Sequence, residues 1–107
     1  MIDDTKAVGV STNSMPRLLL RERHVLSDNS FAEVVIWQLS RRVPGSSHRF
    51  KYRLAFVVEG VCVLRFDNEA RKGDHKHMDE QEVAYDFVSL AQLMTDFWDE
   101  IDRWRAA

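Results

Sequence analysis

The sequence predicts an α+β domain, an antiparallel sheet of four to five strands in meander order followed by one C-terminal amphipathic helix packed on one face. Three observations predict it. Apolar residues recur at every second position in successive stretches between Arg17 and Asp67, the period of a half-buried strand. Polar or glycine-containing segments of turn chemistry divide those stretches. From Ser89 onward the period changes to that of a helix.

Each element follows in order. Leu18, Leu20 and Leu26 alternate with Glu22 and His24 and predict a first strand over Arg17–Leu26. Ser27-Asp28-Asn29-Ser30 carries side chains that bond nearby backbone, so it turns the chain into a second strand over Phe31–Leu39, with Trp37 read as core beside Val35 and Leu39. The Pro44-Gly45 pair makes Arg41–Ser47 a loop, and alternation resumes over Arg49–Val58. Glu59-Gly60 is a two-residue hairpin turn before a fourth strand, Val61–Asp67. Counting outward from it sets Val58 opposite Val61, Phe56 opposite Val63, Leu54 opposite Arg65 and Tyr52 opposite Asp67. Polar groups therefore gather at the far end of this hairpin, where a cleft is expected. Glu82–Val88 is a candidate fifth strand. Ser89 and Gln92 have capping-box spacing and open a helix ending near Arg105. Its apolar face carries Leu90, Leu93, Met94, Phe97, Ile101 and Trp104, with Trp98 at the edge, and Asp99 and Arg103 are spaced for an i,i+4 pair.

A chain of 107 residues, 45% hydrophobic and 30% charged, fits one folded domain, assigned to 17–107 after a polar N-terminal arm over 1–16. The single cysteine, Cys62, excludes an intramolecular disulfide and reads as a small packed hydrophobe in a reducing compartment. No apolar run approaches the roughly 20 residues of a membrane span, and the opening residues lack a basic segment followed by an apolar one. The expectation is a cytoplasmic protein without membrane contact. Residues 41–77 hold nine Lys/Arg against four Asp/Glu, whereas residues 78–107 hold eight acids against two bases, which predicts two different surfaces. There is no phosphate-binding Walker loop, no Gly-x-Ser-x-Gly elbow and no Gly-x-Gly-x-x-Gly, which removes ATPase, serine-hydrolase and dinucleotide readings.

Chemistry concentrates between Asp67 and His77, where Asp67, Asn68, Glu69, Arg71, Lys72, Asp74, His75, Lys76 and His77 surround Gly73. Composition alone is compatible with a solvated loop. The functional reading is phosphodiester cleavage, which needs a base for the attacking hydroxyl, an acid for the leaving oxygen and cations for the phosphate. Histidine suits both proton roles near neutral pH, which makes His75 and His77 the candidate base and acid. Lys72 and Arg71 would hold the phosphate, Asp67, Glu69 and Asp74 would orient the imidazoles, and Lys76, His48, Tyr52, Arg53 and Arg65 would line the cleft. Arg41, Arg42, Arg49, Lys51 and Arg53 extend a basic path suited to an RNA backbone. A competing reading makes His75, His77, Asp67, Glu69 and Asp74 metal ligands, since His-x-His on an extended chain points both rings the same way. No cysteine pair or His-Glu-x-x-His accompanies them, so the expectation is a metal-independent site without a cofactor.

The chain also resembles the TumE family of bacterial toxins from toxin–antitoxin pairs. Leu18-Leu-Leu-Arg-Glu22, Phe31-Ala-Glu-Val-Val-Ile-Trp37, Val43-Pro-Gly-Ser-Ser-His48, Tyr52-Arg-Leu-Ala-Phe56, Phe66-Asp-Asn-Glu69, Lys72-Gly-Asp-His-Lys-His77 and Phe87-Val-Ser-Leu90 carry the resemblance. It implies a growth-inhibiting toxin silenced by a helix-turn-helix antitoxin, with small-endoribonuclease action inferred from the residue types. A non-enzymatic module that blocks its target through a basic surface is the alternative. The Glu59-Gly60 hairpin is apolar on both faces while one helix covers only one, so a homodimer or the antitoxin is expected on the other.

Overall fold

The computed structural model describes residues 15–68 and 72–107. Most of the expected N-terminal arm therefore lies outside the described residues, as do Glu69 and Arg71. Among the described residues six strands form one antiparallel sheet in the order β1-β2-β3-β4-β5-β6: β1 (Arg17–Ser27), β2 (Ser30–Gln38), β3 (Phe50–Val58), β4 (Val61–Asp67), β5 (His75–Met78) and β6 (Gln81–Ala84). The helix α1 (Leu90–Ala106) follows. The α+β class and meander order agree with the sequence reading; the strand number does not. His75–Met78, read as loop, pairs with β4, and a turn at Asp79-Glu80 returns the chain as β6. Asp79 occupies φ 57, a left-handed conformation that aspartate tolerates better than most residues.

Alternation decides which side chains meet α1. Ala32, Val34 and Ile36 of β2, Tyr52, Leu54 and Phe56 of β3, and Leu64 and Phe66 of β4 share a face and bury against Leu93, Phe97 and Ile101. Edge-to-face contacts lock helix to sheet, Phe66 on Phe97 with centroids 6.0 Å apart and Phe56 on Trp104 at 5.4 Å. Trp98 packs beside this core with the His24 ring edge-on at 5.3 Å. Trp37, expected in the core, instead is half-buried on the opposite face, where it pairs with Lys51.

Glu59 and Gly60 both take positive φ, 51 and 79, as a tight hairpin with the right-handed twist of its strands requires. The register beyond it departs from a simple count. Val58 pairs with Val61 and Val57 with Cys62, but Phe56 then pairs with Leu64, leaving Val63 as the extra residue of a β-bulge. Asp67 accordingly opposes Arg53, not Tyr52, and Arg65 opposes Ala55. The bulge has a clear physical reason. Without it Arg65 and Asp67 would face the core with Leu54 and Phe56; with it Leu64 and Phe66 do, and the charged pair turns to the other face. A similar irregularity at Leu19 in β1 separates Leu18, paired with Trp37, from Leu20, paired with Ile36. Cys62 is exposed, so the expectation of a packed thiol does not hold.

Ser89 caps α1, its Oγ accepting from the Gln92 amide at 3.0 Å. Gln92 does not complete the capping box; its Nε2 donates to Asp96 Oδ1 at 2.8 Å. Arg103 pairs with Glu100 at 2.9 Å one turn back, and not with Asp99 as its spacing had suggested. Between β2 and β3, Val43-Pro44-Gly45-Ser46 forms a turn closed by Ser46 N–H to Val43 O at 2.9 Å, with Gly45 at φ 91. Val43 is buried by it. This loop meets the β4–β5 connection closely: a Cβ on Gly73, whose φ is 77, would stand 2.8 Å from the Gly45 carbonyl oxygen.

Candidate functional site

Strand pairing draws two lines of side chains across the face that α1 leaves uncovered. One runs Arg21, Val35, Arg53, Asp67, His75, and the next Arg23, Glu33, Ala55, Arg65, His77, Glu82. Both lines end in the same cluster. Its floor is buried: the Asp67 and His75 side chains are 6% and 5% exposed, with Asp67 Oδ1 2.5 Å from His75 Nε2. Its mouth is half-open, formed by His77, Glu82, Arg65 and Lys72. Glu82 ties the two levels together, with Oε2 at 3.1 Å from His75 Nε2 and 3.5 Å from Lys72 Nζ, and Oε1 at 3.2 Å from His77 Nε2. Arg65 Nε lies 2.9 Å from Asp67 Oδ2.

The electrostatics follow from these distances. Partial desolvation, the largest single influence on the Glu82 carboxyl, pushes its pKa up, but the neighbouring His75, Lys72 and His77, with a hydrogen bond from Lys72, together carry it below the usual carboxylate value. The His75 ring is oriented through Nδ1, 3.0 Å from the Gly73 carbonyl oxygen.

Of the residues singled out in the sequence, Asp67, Lys72, His75 and His77 meet here, with Arg53 and Arg65 on the same face. Asp74, His48 and Tyr52 meet elsewhere. Asp74 Oδ2 accepts from Tyr52 OH at 2.6 Å and sits 2.7 Å from His48 Nε2, on the helix side of the sheet end. The Phe50 amide donates to His48 Nδ1 at 3.1 Å, which assigns the ring proton to Nε2 and makes His48 the donor to Asp74. Phe87 stacks on that imidazole with centroids 3.8 Å apart. Burial first, then the Asp74 hydrogen bond and charge, push the Tyr52 phenol far above its ordinary pKa. Lys76 also points away from the cluster and binds Glu100 of α1 at 2.8 Å.

Two residues were missed in the sequence. Glu82 stood in a candidate strand and shows its relevance only once the β5–β6 hairpin sets it opposite His77. Asn68, fully buried, accepts from the Tyr52 amide at 3.0 Å and donates to the Phe50 carbonyl at 2.6 Å, continuing the β4 ladder with its side chain. The signal for Asn68 was faint: an amide directly after a strand, before a charged loop.

The described residues thus form an α+β fold, an antiparallel meander backed by α1, with an ionisable His/Asp/Glu cluster on the sheet face away from that helix. The family model described as Toxin TumE matches residues 15–105, and the chain belongs to that family of toxins. No curated protein and no solved structure matches it. Membership in a toxin family implies an antitoxin partner. Among the described residues no helix is long and apolar enough to cross a membrane.

Proposed function

We propose that this toxin cleaves RNA, acting in the cytoplasm through the cluster of Asp67, His75, His77 and Glu82. One observation carries the reading. The imidazoles and carboxylates open onto a sheet face crossed by the exposed Arg21, Arg23 and Arg53, with Arg65 and Lys72 at the mouth, so a phosphodiester held by the cations meets the ionisable groups. His77, the more accessible imidazole, stands where a reacting oxygen arrives; His75, buried and tied to Gly73 and Asp67, supports it from below. Whether the imidazoles move protons or hold an ion turns on the ring of His75.

A helix-turn-helix antitoxin is the partner expected to silence the toxin by covering this face. The same face carries half-buried Phe31 and Val57 near Ala55, so it also suits a second copy of the chain. Induced expression of the wild type and of a His75→Ala, His77→Ala variant, with growth and total RNA followed together, tests the proposal. Arrest with RNA decay in the wild type, both lost in the variant, is expected. Arrest with intact RNA points to a toxin that blocks its target without cutting it, and arrest by the variant removes the cluster from the mechanism.

A further inference from the structure

The buried ring of His75 presents an unmatched nitrogen. A carbonyl oxygen only accepts, so Nδ1, 3.0 Å from the Gly73 oxygen, carries the proton, and Nε2 of the neutral ring is a lone pair. That lone pair faces two further acceptors, Asp67 Oδ1 at 2.5 Å and Glu82 Oε2 at 3.1 Å. A second ring proton would relieve the clash only by pointing at a carboxylate. Neither oxygen is aligned to receive it: His75 Nε2 and Asp67 Oδ1 are both buried without a hydrogen-bond partner among the described residues. His77 adds another imidazole nitrogen at the mouth, 3.2 Å from Glu82 Oε1, and the ligand atoms of His75, His77 and Glu82 all lie within 4.8 Å of one another.

We infer that His75, His77 and Glu82 form a binding site for a divalent first-row transition-metal ion, with Asp67 as the carboxylate beside it. With two neutral imidazoles, the Glu82 carboxylate and Asp67 close by supply the negative charge the ion needs. Nδ1–H donation to a backbone carbonyl is how a ligating histidine is commonly fixed. The Glu82 carboxylate reaches both rings, Oε2 at 3.1 Å from His75 Nε2 and Oε1 at 3.2 Å from His77 Nε2, and three protein donors leave a tetrahedral ion one open position. Mixed nitrogen and oxygen donors suit ions such as zinc, cobalt or manganese better than magnesium or calcium, which favour oxygen alone. The ion would be reached from the His77 side, next to Arg65 and Lys72, and would offer a phosphate oxygen a Lewis acid. This deepens the RNA-cleaving reading and rests on it for its purpose; its test does not.

The full chain, stripped with chelator and dialysed, is titrated with Co²⁺ by visible absorption and with Zn²⁺ by calorimetry, alongside Glu82→Gln, His77→Ala and His24→Ala. One saturable equivalent is expected, the cobalt band being displaced by zinc. Loss of a ligand from Glu82 or His77, both partly exposed, should weaken binding at least about 100-fold, with circular dichroism unchanged. His24, on the helix side beside Trp98, should bind as wild type when replaced. Absence of saturable binding, or binding indifferent to both ligand variants, overturns the site. One-equivalent binding by a protein that leaves RNA intact upholds it and removes the ribonuclease reading instead.

Discussion

Asp74 and His75 are neighbours in sequence and serve opposite faces of the sheet: Asp74 holds His48 at 2.7 Å on the helix side, while His75 meets Asp67 on the bare side. The strand period of two makes this unavoidable once His75 begins β5. It divides the charged loop into a structural clasp and a candidate reactive cluster.

The clasp should matter for stability and not for toxicity. Tyr52→Phe removes the 2.6 Å hydrogen bond to Asp74, a charged acceptor that keeps His48, and is expected to lower stability by about 1–2 kcal/mol. Growth arrest at permissive temperature should persist. Denaturant melts together with an induction assay check both halves, and lost arrest with unchanged stability would return Tyr52 to the site.

Asn68→Ala should be more damaging. It leaves the buried Tyr52 amide and the Phe50 carbonyl without their partners, a loss of roughly 2–3 kcal/mol. Thermal unfolding by circular dichroism reads it directly.

Glu100 gives the fold an acid limb. Although burial, the largest influence, pushes its pKa up, hydrogen bonds and charge from Lys76 and Arg103 hold it below the usual carboxylate value. A depressed folded-state pKa adds stability above the unfolded value, lost as pH falls through the folded one. Glu100→Gln should therefore destabilise by about 1–2 kcal/mol at neutral pH, and the difference from wild type should shrink as pH falls below the ordinary carboxylate value of about 4.3. Urea melts at pH 7, 5 and 3.5 test the sign.

RNA binding through the bare face should be salt-dependent. Exposed Arg53, beside Asp67, is expected to contribute one phosphate contact. Arg53→Ala should lower the slope of log affinity against log salt by about 0.7, the single-stranded value per contact. Filter binding with a cleavage-deficient background measures it, and an unchanged slope removes Arg53 from the RNA path.

Much of this architecture was legible in the sequence because its signals are strong. The leucine and valine alternation, the Glu59-Gly60 turn and the Ser89 cap each have one physical meaning. What escaped lacked such signals. His75–Met78 is short and charged, and its Asp79-Glu80 turn has no glycine, so the β5–β6 hairpin looked like loop. Val63 is apolar whether bulged or paired, so nothing in its neighbourhood announces the register change. Asp67, His75 and His77 stood out by residue type, but their separation from Asp74, His48 and Tyr52 depends on strand parity, which is set only once β5 is recognised.

The bulge at Val63 also constrains how such a chain can vary. What matters between the Gly60 turn and Asp67 is whether the number of residues is odd or even, since parity alone sends Asp67 to the open face and Phe66 to the core. Changes in multiples of two would lengthen or shorten the hairpin and keep its two sides distinct. A single deletion would exchange them, drawing two charges inward and turning two large apolar side chains out to water, so chemistry and core in this strand share one reading frame.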